Sequence, residues 1–479
     1  MGSVHQLIEN EDIQTLINWP NLNNGGRTPL FIASGGGHVD VATLLVANGA
    51  NVNQAMNSGA SPLYVASQNG HVDVATLLLA NGADVNQANN SGASPLYIAS
   101  QIGHTDVATL LLANGADVNQ AKNSGASPLY VASQNGHVDV ATLLLANGAD
   151  VNQAENDGAS PLYIASQKGH TDVATLLLVN GADVIQAMND GASPLYIASQ
   201  KGHANVATLL LANGADVNQA ENDGASPLYI ASQNGHANVA TLLLVNGADV
   251  IQAMNDGASP LYIASQNGHA NVATLLLVNG ADVIQAMNDG LTSLHIASQN
   301  GHANVATLLL ANGADVNQAT NSGHTPLMNA SYGGLSDTVR CLLDAGAKLG
   351  SKNKNGKTAR DYAVQHGHTN IVDILDGYLG ARTRAQVAVD TGKFQEAIDA
   401  LSHFIPSAGY QNATDLTLRA LAHVCIGNTV AAWRDVQACI DVGKTDAFAT
   451  LGEMLLKMDR LEEADGAFST GVAINAADD

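Results

Sequence analysis

Apolar residues fall into short blocks with helical spacing along most of the chain. In residues 59–91, Leu63 and Ala66 share one face of a first short helix, and Val74 and Leu78 share one face of a second. Neither helix reaches the roughly 12–15 residues that an isolated helix needs in water. The pattern therefore predicts helices that hold only when their apolar faces pack against neighbours.

Polar residues and glycines predict where these two helices begin and end. Ser61 is a good N-cap, and Pro62 suits the first helical position, where a missing N–H loses no partner. Gly70 and Gly82 follow the two helices, because glycine accepts the left-handed backbone beyond a helix end. We expect a helix pair followed by a turn-rich loop.

The same pattern returns with a period of 33 residues. The glycine that opens each unit recurs at Gly26, Gly59, Gly92, Gly125, Gly158, Gly191, Gly224, Gly257, Gly290, Gly323 and Gly356. Residues 224–256 and 257–289 are identical at all 33 positions. A fixed period of this length indicates a stacked array of units, which offers a long surface and no obvious cavity for chemistry.

Four short runs in each unit carry a family resemblance. They read SPLY at 61–64, GH at 70–71, LLL at 77–79 and GADVN at 82–86. With these runs the chain resembles the ankyrin repeats, about eleven of them, from residue 26 to about 377. The resemblance implies a mainly α fold, a solenoid of antiparallel helix pairs with β-hairpin-like loops.

One position departs from the family signature in most units. Tyr64 and its equivalents stand where the signature has histidine, which returns at His295. We expect the tyrosine ring to pack between units and its hydroxyl to find a backbone partner.

The two ends of the chain lack the full signature. Residues 1–25 read as an N-terminal helical cap, 26–377 as the ankyrin solenoid and 378–479 as a further helical domain. In 445–478, Leu451, Leu455 and Ala464 lie where a tetratricopeptide repeat (TPR) places packing residues. The stretches 378–411 and 413–444 fit the same template less well. We expect three TPR-like hairpins; a generic α-helical tail is the alternative.

The charge balance restricts the class of partner. The chain has 18 Lys and Arg against 42 Asp and Glu, a net charge of −24. Nucleic-acid phosphates and anionic membranes repel such a chain, so we expect protein partners, no nucleic acid and no membrane. We also expect a monomer.

The expected location is intracellular and cytoplasmic. Three cysteines show neither metal spacing nor a disulfide framework, which favours a reducing compartment. No apolar run approaches the roughly 18–20 residues of a membrane span, and no secretory signal precedes the first cap.

Residues that could carry chemistry are spread one per unit. His71 and Asp84 recur with the period, but zinc needs converging ligands and calcium needs about six to eight oxygens. No phosphate loop, nucleophile elbow or His-Glu-x-x-His motif is present. Residues 378–479 show no converging acid, base or nucleophile. We expect no catalytic residue, no cofactor, no metal and no enzyme activity.

The resemblance implies that partners dock on hairpin tips and inner helices. The predicted partner-binding residues are the hairpin positions Met56, Asn89, Lys122, Glu155, Met188, Glu221, Met254 and Met287, the inner-helix positions Gln68, Gln101, Gln134, Lys168 and Lys201, and the basic residues Arg340, Lys352 and Lys354.

A modification is also implied by the resemblance. Ankyrin repeats similar to these can be substrates of an asparaginyl hydroxylase that acts on the Asn of Asp-Val-Asn. Asn86, Asn119 and Asn152 match this motif, whereas Ile185 replaces the asparagine in its unit.

Two functions follow as expectations. The first is a non-enzymatic scaffold or adaptor that binds proteins through both the ankyrin array and the C-terminal helices. The second is a spacer, in which the array sets a distance and only the C-terminal module binds. The identical units at 224–289 are compatible with a scaffold for a repetitive ligand and with a spacer. Recent duplication would also explain them.

Overall fold

A computed structural model describes residues 17–21, 25–402, 405, 413–441, 447–457, 464, 466 and 467. The N-terminal cap predicted for residues 1–25 lies almost wholly outside these ranges. The chain divides into two compact units, Met1–Asp249 (unit 1) and Val250–Asp479 (unit 2), which we describe separately.

Unit 1 is a series of short helix pairs, each formed by one 33-residue repeat. Its described helices are α1 (Pro29–Gly35), α2 (Val39–Ala47), α3 (Pro62–Asn69), α4 (Val72–Ala80), α5 (Pro95–Ile102), α6 (Thr105–Ala113), α7 (Pro128–Asn135), α8 (Val138–Ala146), α9 (Pro161–Lys168), α10 (Thr171–Val179), α11 (Pro194–Lys201), α12 (Ala204–Ala212), α13 (Pro227–Gln233) and α14 (Ala237–Val245). The first helices of successive pairs pack on one another, and so do the second helices. The repeats therefore form two parallel layers of helices.

Unit 2 continues the same pattern and then changes. Its described helices are α15 (Pro260–Gln266), α16 (Ala270–Val278), α17 (Ser293–Asn300), α18 (Ala303–Ala311), α19 (Pro326–Tyr332), α20 (Ser336–Asp344), α21 (Ala359–Gln365), α22 (Thr369–Asp390), α23 (Phe394–Ser402), α24 (Ala413–Cys425), α25 (Thr429–Asp441) and α26 (Ala447–Lys457). The helices up to α22 form pairs in two layers, as in unit 1.

The helix boundaries follow the predicted caps. Ser61 Oγ accepts a hydrogen bond of 3.1 Å from the Tyr64 N–H, and Pro62 opens α3. Gly70 ends α3 with φ 75° and Gly82 follows α4 with φ 85°. The prediction of a helix pair limited by Ser, Pro and Gly is confirmed.

The core of each repeat consists of the apolar residues that the spacing selects. Leu63 is 1% exposed, and Ala66, Val74 and Leu78 are fully buried. Because α3 and α4 have only 8 and 9 residues, this burial between neighbouring repeats holds helices that would not form alone.

The loops between pairs turn like hairpins. The N–H of Met56 donates to the Ala60 carbonyl at 3.0 Å, and the N–H of Gly59 donates to the Met56 carbonyl at 2.8 Å. Within the described residues the β-structure is limited to two isolated bridges, Asn21↔Arg27 and Ala286↔Thr292. The loops are thus hairpin-like without forming strands.

The histidine that recurs in most repeats ties its repeat to the one before it. His104 Nε2 lies 3.1 Å from the carbonyl oxygen of Gln68, one repeat earlier. The same imidazole packs against Gly70, where an added Cβ would lie 2.9 Å from the ring. The expectation that this histidine is a turn residue bonded to its neighbours is confirmed.

A second tie is the asparagine of the Asp-Val-Asn motif. Asn86 Oδ1 accepts the Asp117 N–H at 2.9 Å, and Asn86 Nδ2 donates to the Gly115 carbonyl at 3.4 Å. We call this pair of bonds the asparagine clamp. Ile185 is 50% exposed, and its side chain has no oxygen to accept the Asp216 N–H and no N–H to donate to the Gly214 carbonyl of the following repeat.

The change of pattern near residue 377 occurs inside one helix. The 22-residue helix α22 is the second helix of the last ankyrin pair, and it also packs against α23 and α24. The boundary expected between 377 and 378 therefore lies within a continuous helix, with no linker.

Two ion pairs join the helices of the C-terminal segment. The Nε and Nη2 of Arg382 in α22 donate to the carboxylate of Asp415 in α24, at 2.6 and 2.7 Å. Arg419 of α24 bonds Asp435 of α25 at 2.6 and 2.8 Å. Both carboxylates are almost fully buried, so these pairs set which helix faces meet.

The clamp generates a stability prediction. Ile185→Asn should raise the free energy of unfolding by about 1 kcal/mol, because it supplies a missing acceptor and donor at little loss of buried apolar surface. Urea denaturation followed by circular dichroism measures the change. The matched variant Asn119→Ile should lower the stability, since it leaves the Asp150 N–H without its 2.8 Å acceptor. Equal midpoints for both variants and the parent chain would contradict the clamp.

Candidate partner-binding surface

The predicted inner-helix residues of unit 1 occupy two neighbouring repeat positions: Gln68, Gln101 and Gln134 share one, and Lys168 and Lys201 lie one residue further along their helices. Gln68, Gln101, Gln134, Lys168 and Lys201 stand at or next to the C-terminal ends of α3, α5, α7, α9 and α11, and each is at least partly exposed; we call them the inner row. The carbonyls of Gln68, Gln101 and Gln134 accept bonds from the imidazoles of the next repeats. The inner row therefore presents polar and basic side chains from a firmly held backbone.

The predicted hairpin residues are half-buried, and two of them contact the tyrosine of their own 33-residue unit. Asn89 hydrogen-bonds the Tyr64 hydroxyl. The Lys122 Nζ lies 5.6 Å from the centroid of the Tyr97 ring, within range of a cation–π contact.

Glutamate at the same hairpin position accepts a hydrogen bond from tyrosine. Glu155 bonds Tyr130, and Glu221 bonds Tyr196. The interactions found for the Tyr64, Tyr130 and Tyr196 hydroxyls are with side chains, and the expected backbone partner stays a prediction. Each ring extends towards the hairpin residues at the end of its own unit.

Burial and these contacts shift the pKa values of the tyrosine and glutamate side chains. Burial raises the pKa of Tyr130 and Tyr196 well above the usual range, and the neighbouring carboxylates raise it further. Burial also raises the pKa of Glu221, with Asp190 and Asp223 adding to the rise and the bond from Tyr196 opposing it. The carboxylates of this part of unit 1 therefore interact with one another.

Sequence reasoning missed the most exposed hairpin position. This tip position, two residues after the half-buried one, holds Ser58, Ser91 and Ser124 in three repeats and then Asp157, Asp190 and Asp223 in the next three. Each of the three aspartates is exposed and accepts the N–H two residues further on, at 3.0 Å. The change from Ser to Asp between aligned repeats is the feature of the sequence that could have identified this position.

The three predicted basic residues lie on different elements of unit 2. Arg340 is exposed on α20, in the layer of second helices, where it acts electrostatically on Asp344. Lys352 and Lys354 are exposed on the following hairpin, and Lys352 acts on Asp361. The structure does not place these cations on the layer of first helices.

The hydroxylation candidates are the residues of the clamp. Asn86, Asn119 and Asn152 are partly buried, and their carboxamide oxygens accept N–H bonds of 2.8–2.9 Å from Asp117, Asp150 and Asp183. In the folded array their side chains are thus committed to the next repeat.

Comparison with known families agrees with this geometry. A family model described as "Ankyrin repeats (3 copies)" matches residues 2–89, 85–155, 147–221, 228–320 and 294–386. The chain belongs to the ankyrin-repeat family. No curated protein matches it at a significant level. Ankyrin repeats are generally protein–protein interaction modules, so the exposed face of their first helices and hairpins is the candidate site.

Two searches of the described residues concern other kinds of site. They contain no group of three or more His, Cys, Asp or Glu side chains placed to hold a metal ion. None of the helices assigned in them combines the length and the apolar character needed to cross a bilayer.

The raised pKa of Glu221 generates a pH prediction. Its carboxyl binds a proton more readily in the folded chain than in the unfolded one, so stability is lost as pH rises through the folded pKa. Glu221→Gln keeps an acceptor for Tyr196 and should raise the free energy of unfolding near about pH 7. The difference from the parent chain should vanish below about pH 4, where both side chains are neutral.

Denaturation curves at several pH values measure this difference. Asp172→Asn, which removes a charge from an exposed position on α10, is the control and should show no such pH-dependent gain. A Glu221→Gln effect that is the same at all pH values would show that the charge is not its cause.

Proposed function

We propose that this ankyrin-repeat protein is a non-enzymatic scaffold that binds partner proteins along the inner row and hairpin tips of its repeats. The observation that carries the proposal is the inner row itself, exposed side chains on a backbone fixed by the histidine bonds. A rigid surface loses little conformational entropy when a partner docks.

The charge of the surface favours basic or neutral partners. The tip aspartates are exposed, and the chain carries a net charge of −24. Complementary potentials speed association and reject partners of like charge. An acidic protein or a nucleic acid is therefore a poor candidate.

We further propose that α22 to α26 form a second binding module of TPR-like hairpins. Short turns at Gly392 and Gly427 join α22 to α23 and α24 to α25. Ala385, Ala397 and Ala420 are fully buried, as expected of small packing residues in such hairpins. Phe468 and Gly471, two further residues of the 445–478 stretch that match the template, lie outside the described residues. Two modules in one chain would bridge two partners.

The spacer remains the second candidate, favoured by the two identical repeats. Side chains that recur unchanged suit a required length better than a surface shaped for one irregular partner. A deletion of 224–289 removes two whole periods and separates the two functions.

The binding test begins with peptides selected from a random library on the immobilised full chain. Replacing Gln101, Gln134 and Lys168 by Glu should weaken the selected peptides by about tenfold or more. The matched control replaces Thr109, Thr142 and Thr175, exposed on the second helices of the same region, by Glu and should leave affinity unchanged.

The outcomes distinguish the two candidates. Peptides that require the inner row support the scaffold. Peptides that bind equally to the inner-row variant, to the control and to the 224–289 deletion support the spacer, with binding confined to the C-terminal helices. A chain that selects no peptide in repeated rounds contradicts both.

We also propose Asn86, Asn119 and Asn152 as sites of asparaginyl hydroxylation. Because the carboxamide oxygen of each accepts an N–H of the next repeat, modification requires the loop to open. Incubation with an asparaginyl hydroxylase should add the mass of one oxygen per modified residue, located by peptide mass spectrometry. Repeats with isoleucine, such as that of Ile185, are internal controls. An unchanged intact mass would end this proposal.

A further inference from the structure

Unit 2 contains a cavity on the side of its first helices. Its volume is about 530 Å³, and it lies between the hairpin loops and helices α17, α19 and α21. The wall residues include Asp289, Asn321, His324, Met328, Tyr332 and Tyr362. Sequence reasoning predicted no cavity of this kind.

The cavity lies where several consensus residues are replaced. Met328 occupies the position of Tyr64, so no tyrosine ring extends there to the next hairpin. His324 occupies the position of Ala60, and Tyr332 that of Gln68. The tyrosine ring that fills this part of the inner face in other repeats is therefore absent, and aromatic side chains surround the space.

Hydrogen bonds fix one wall of the cavity. His324 Nδ1 lies 2.7 Å from Ser322 Oγ, and His324 Nε2 lies 2.8 Å from the Tyr362 hydroxyl. Asn353 Nδ2 donates to the same hydroxyl at 2.8 Å. Both ring nitrogens of His324 are thus engaged within the wall, and the wall is preorganised.

The groups that remain available on the wall are acceptors and aromatic rings. One carboxylate oxygen of Asp289 accepts the Leu291 N–H at 3.0 Å, and its second oxygen can accept a hydrogen bond from a ligand. The Asn321 Nδ2 donates to the Asn288 carbonyl at 3.0 Å and its Oδ1 lies against Gly290. The carboxamide oxygens of Gln299 and Asn329 are therefore the other acceptors that line the cavity. Neither Lys nor Arg belongs to the wall in the described part of unit 2.

The Tyr362 ring is already in contact with a cation of the chain itself. The Lys357 Nζ lies 5.5 Å from the centroid of the Tyr362 ring, on α21. The Tyr332 ring meets Tyr362 edge to face, with centroids 6.0 Å apart, and is 53% exposed. Tyr332 also packs against His366, with ring centroids 4.3 Å apart, so a ligand can reach the part of the ring that His366 and Tyr362 leave exposed.

We propose that this cavity receives an arginine side chain from a partner protein. A guanidinium has five N–H donors and no acceptor, which matches a wall of carboxylate and carboxamide oxygens. Its plane stacks on tyrosine, whereas an ammonium is a compact, strongly hydrated charge. The inference rests on the proposed function, protein binding by the inner face, and names the side chain recognised in unit 2.

The test uses the full-length chain and three small probes. N-acetylarginine amide, its neutral isostere N-acetylcitrulline amide and N-acetyllysine amide are titrated and followed by ligand-observed NMR. Arginine should bind the parent chain about tenfold more tightly than citrulline, as expected for charge-assisted hydrogen bonds. Asp289→Asn should reduce the arginine affinity to the citrulline level.

A matched control exists one period earlier in the same unit. Asp256 has the same repeat position, and its carboxylate accepts the Ala258 N–H just as Asp289 accepts that of Leu291. Asp256→Asn should leave arginine binding unchanged. Tyr332→Ala should weaken it and Tyr332→Phe should retain it, with circular dichroism confirming that each variant is folded.

The results separate this inference from the proposed function. Equal affinities for arginine and citrulline, or arginine binding that survives Asp289→Asn, overturn the arginine site. If library peptides still require the inner row, the scaffold proposal stands without it. Tighter binding of lysine than arginine would also overturn the inference, because it would favour a point charge over a planar group.

Discussion

The structure depends on contact between consecutive repeats. Helices such as α3 and α4, of 8 and 9 residues, are too short to persist in water and are held by burial of Leu63 and Leu78 between neighbours. The histidine bond and the asparagine clamp add directional ties across the same junction. The inner row keeps its spacing because these ties recur in successive repeats.

The tyrosine that replaces the signature histidine gives the hairpins two roles at once. Its ring reaches the hairpin residues at the end of its own unit, where it meets Asn89, Lys122 or Glu155 in different units. The residues that vary most between repeats are therefore also residues that contact the recurrent tyrosine. A change at such a position alters the tyrosine contact and the surface chemistry together.

Distinct side-chain chemistry arises where the periodicity breaks. Identical repeats present identical side chains, as 224–256 and 257–289 must, and so cannot mark one place along the array. His324, Met328 and Tyr332 differ from their counterparts in other repeats, and together they enclose a cavity. The periodic part supplies rigidity and length, and the exceptions supply individual chemistry.

The amino-acid sequence by itself determined the repeat, its helix pairs and their core. Caps, helix stops and apolar spacing act between residues at most a few positions apart, as Ser61 and Tyr64 do. Only the tertiary structure decided that Asn89 is half-buried on Tyr64, that Asp157 forms the exposed tip, and that departures in two repeats share one cavity. Asn89 and Tyr64 are 25 positions apart, and the hydrogen bonds between repeats join residues separated by 29 to 38 positions, so these contacts exist only in the folded array.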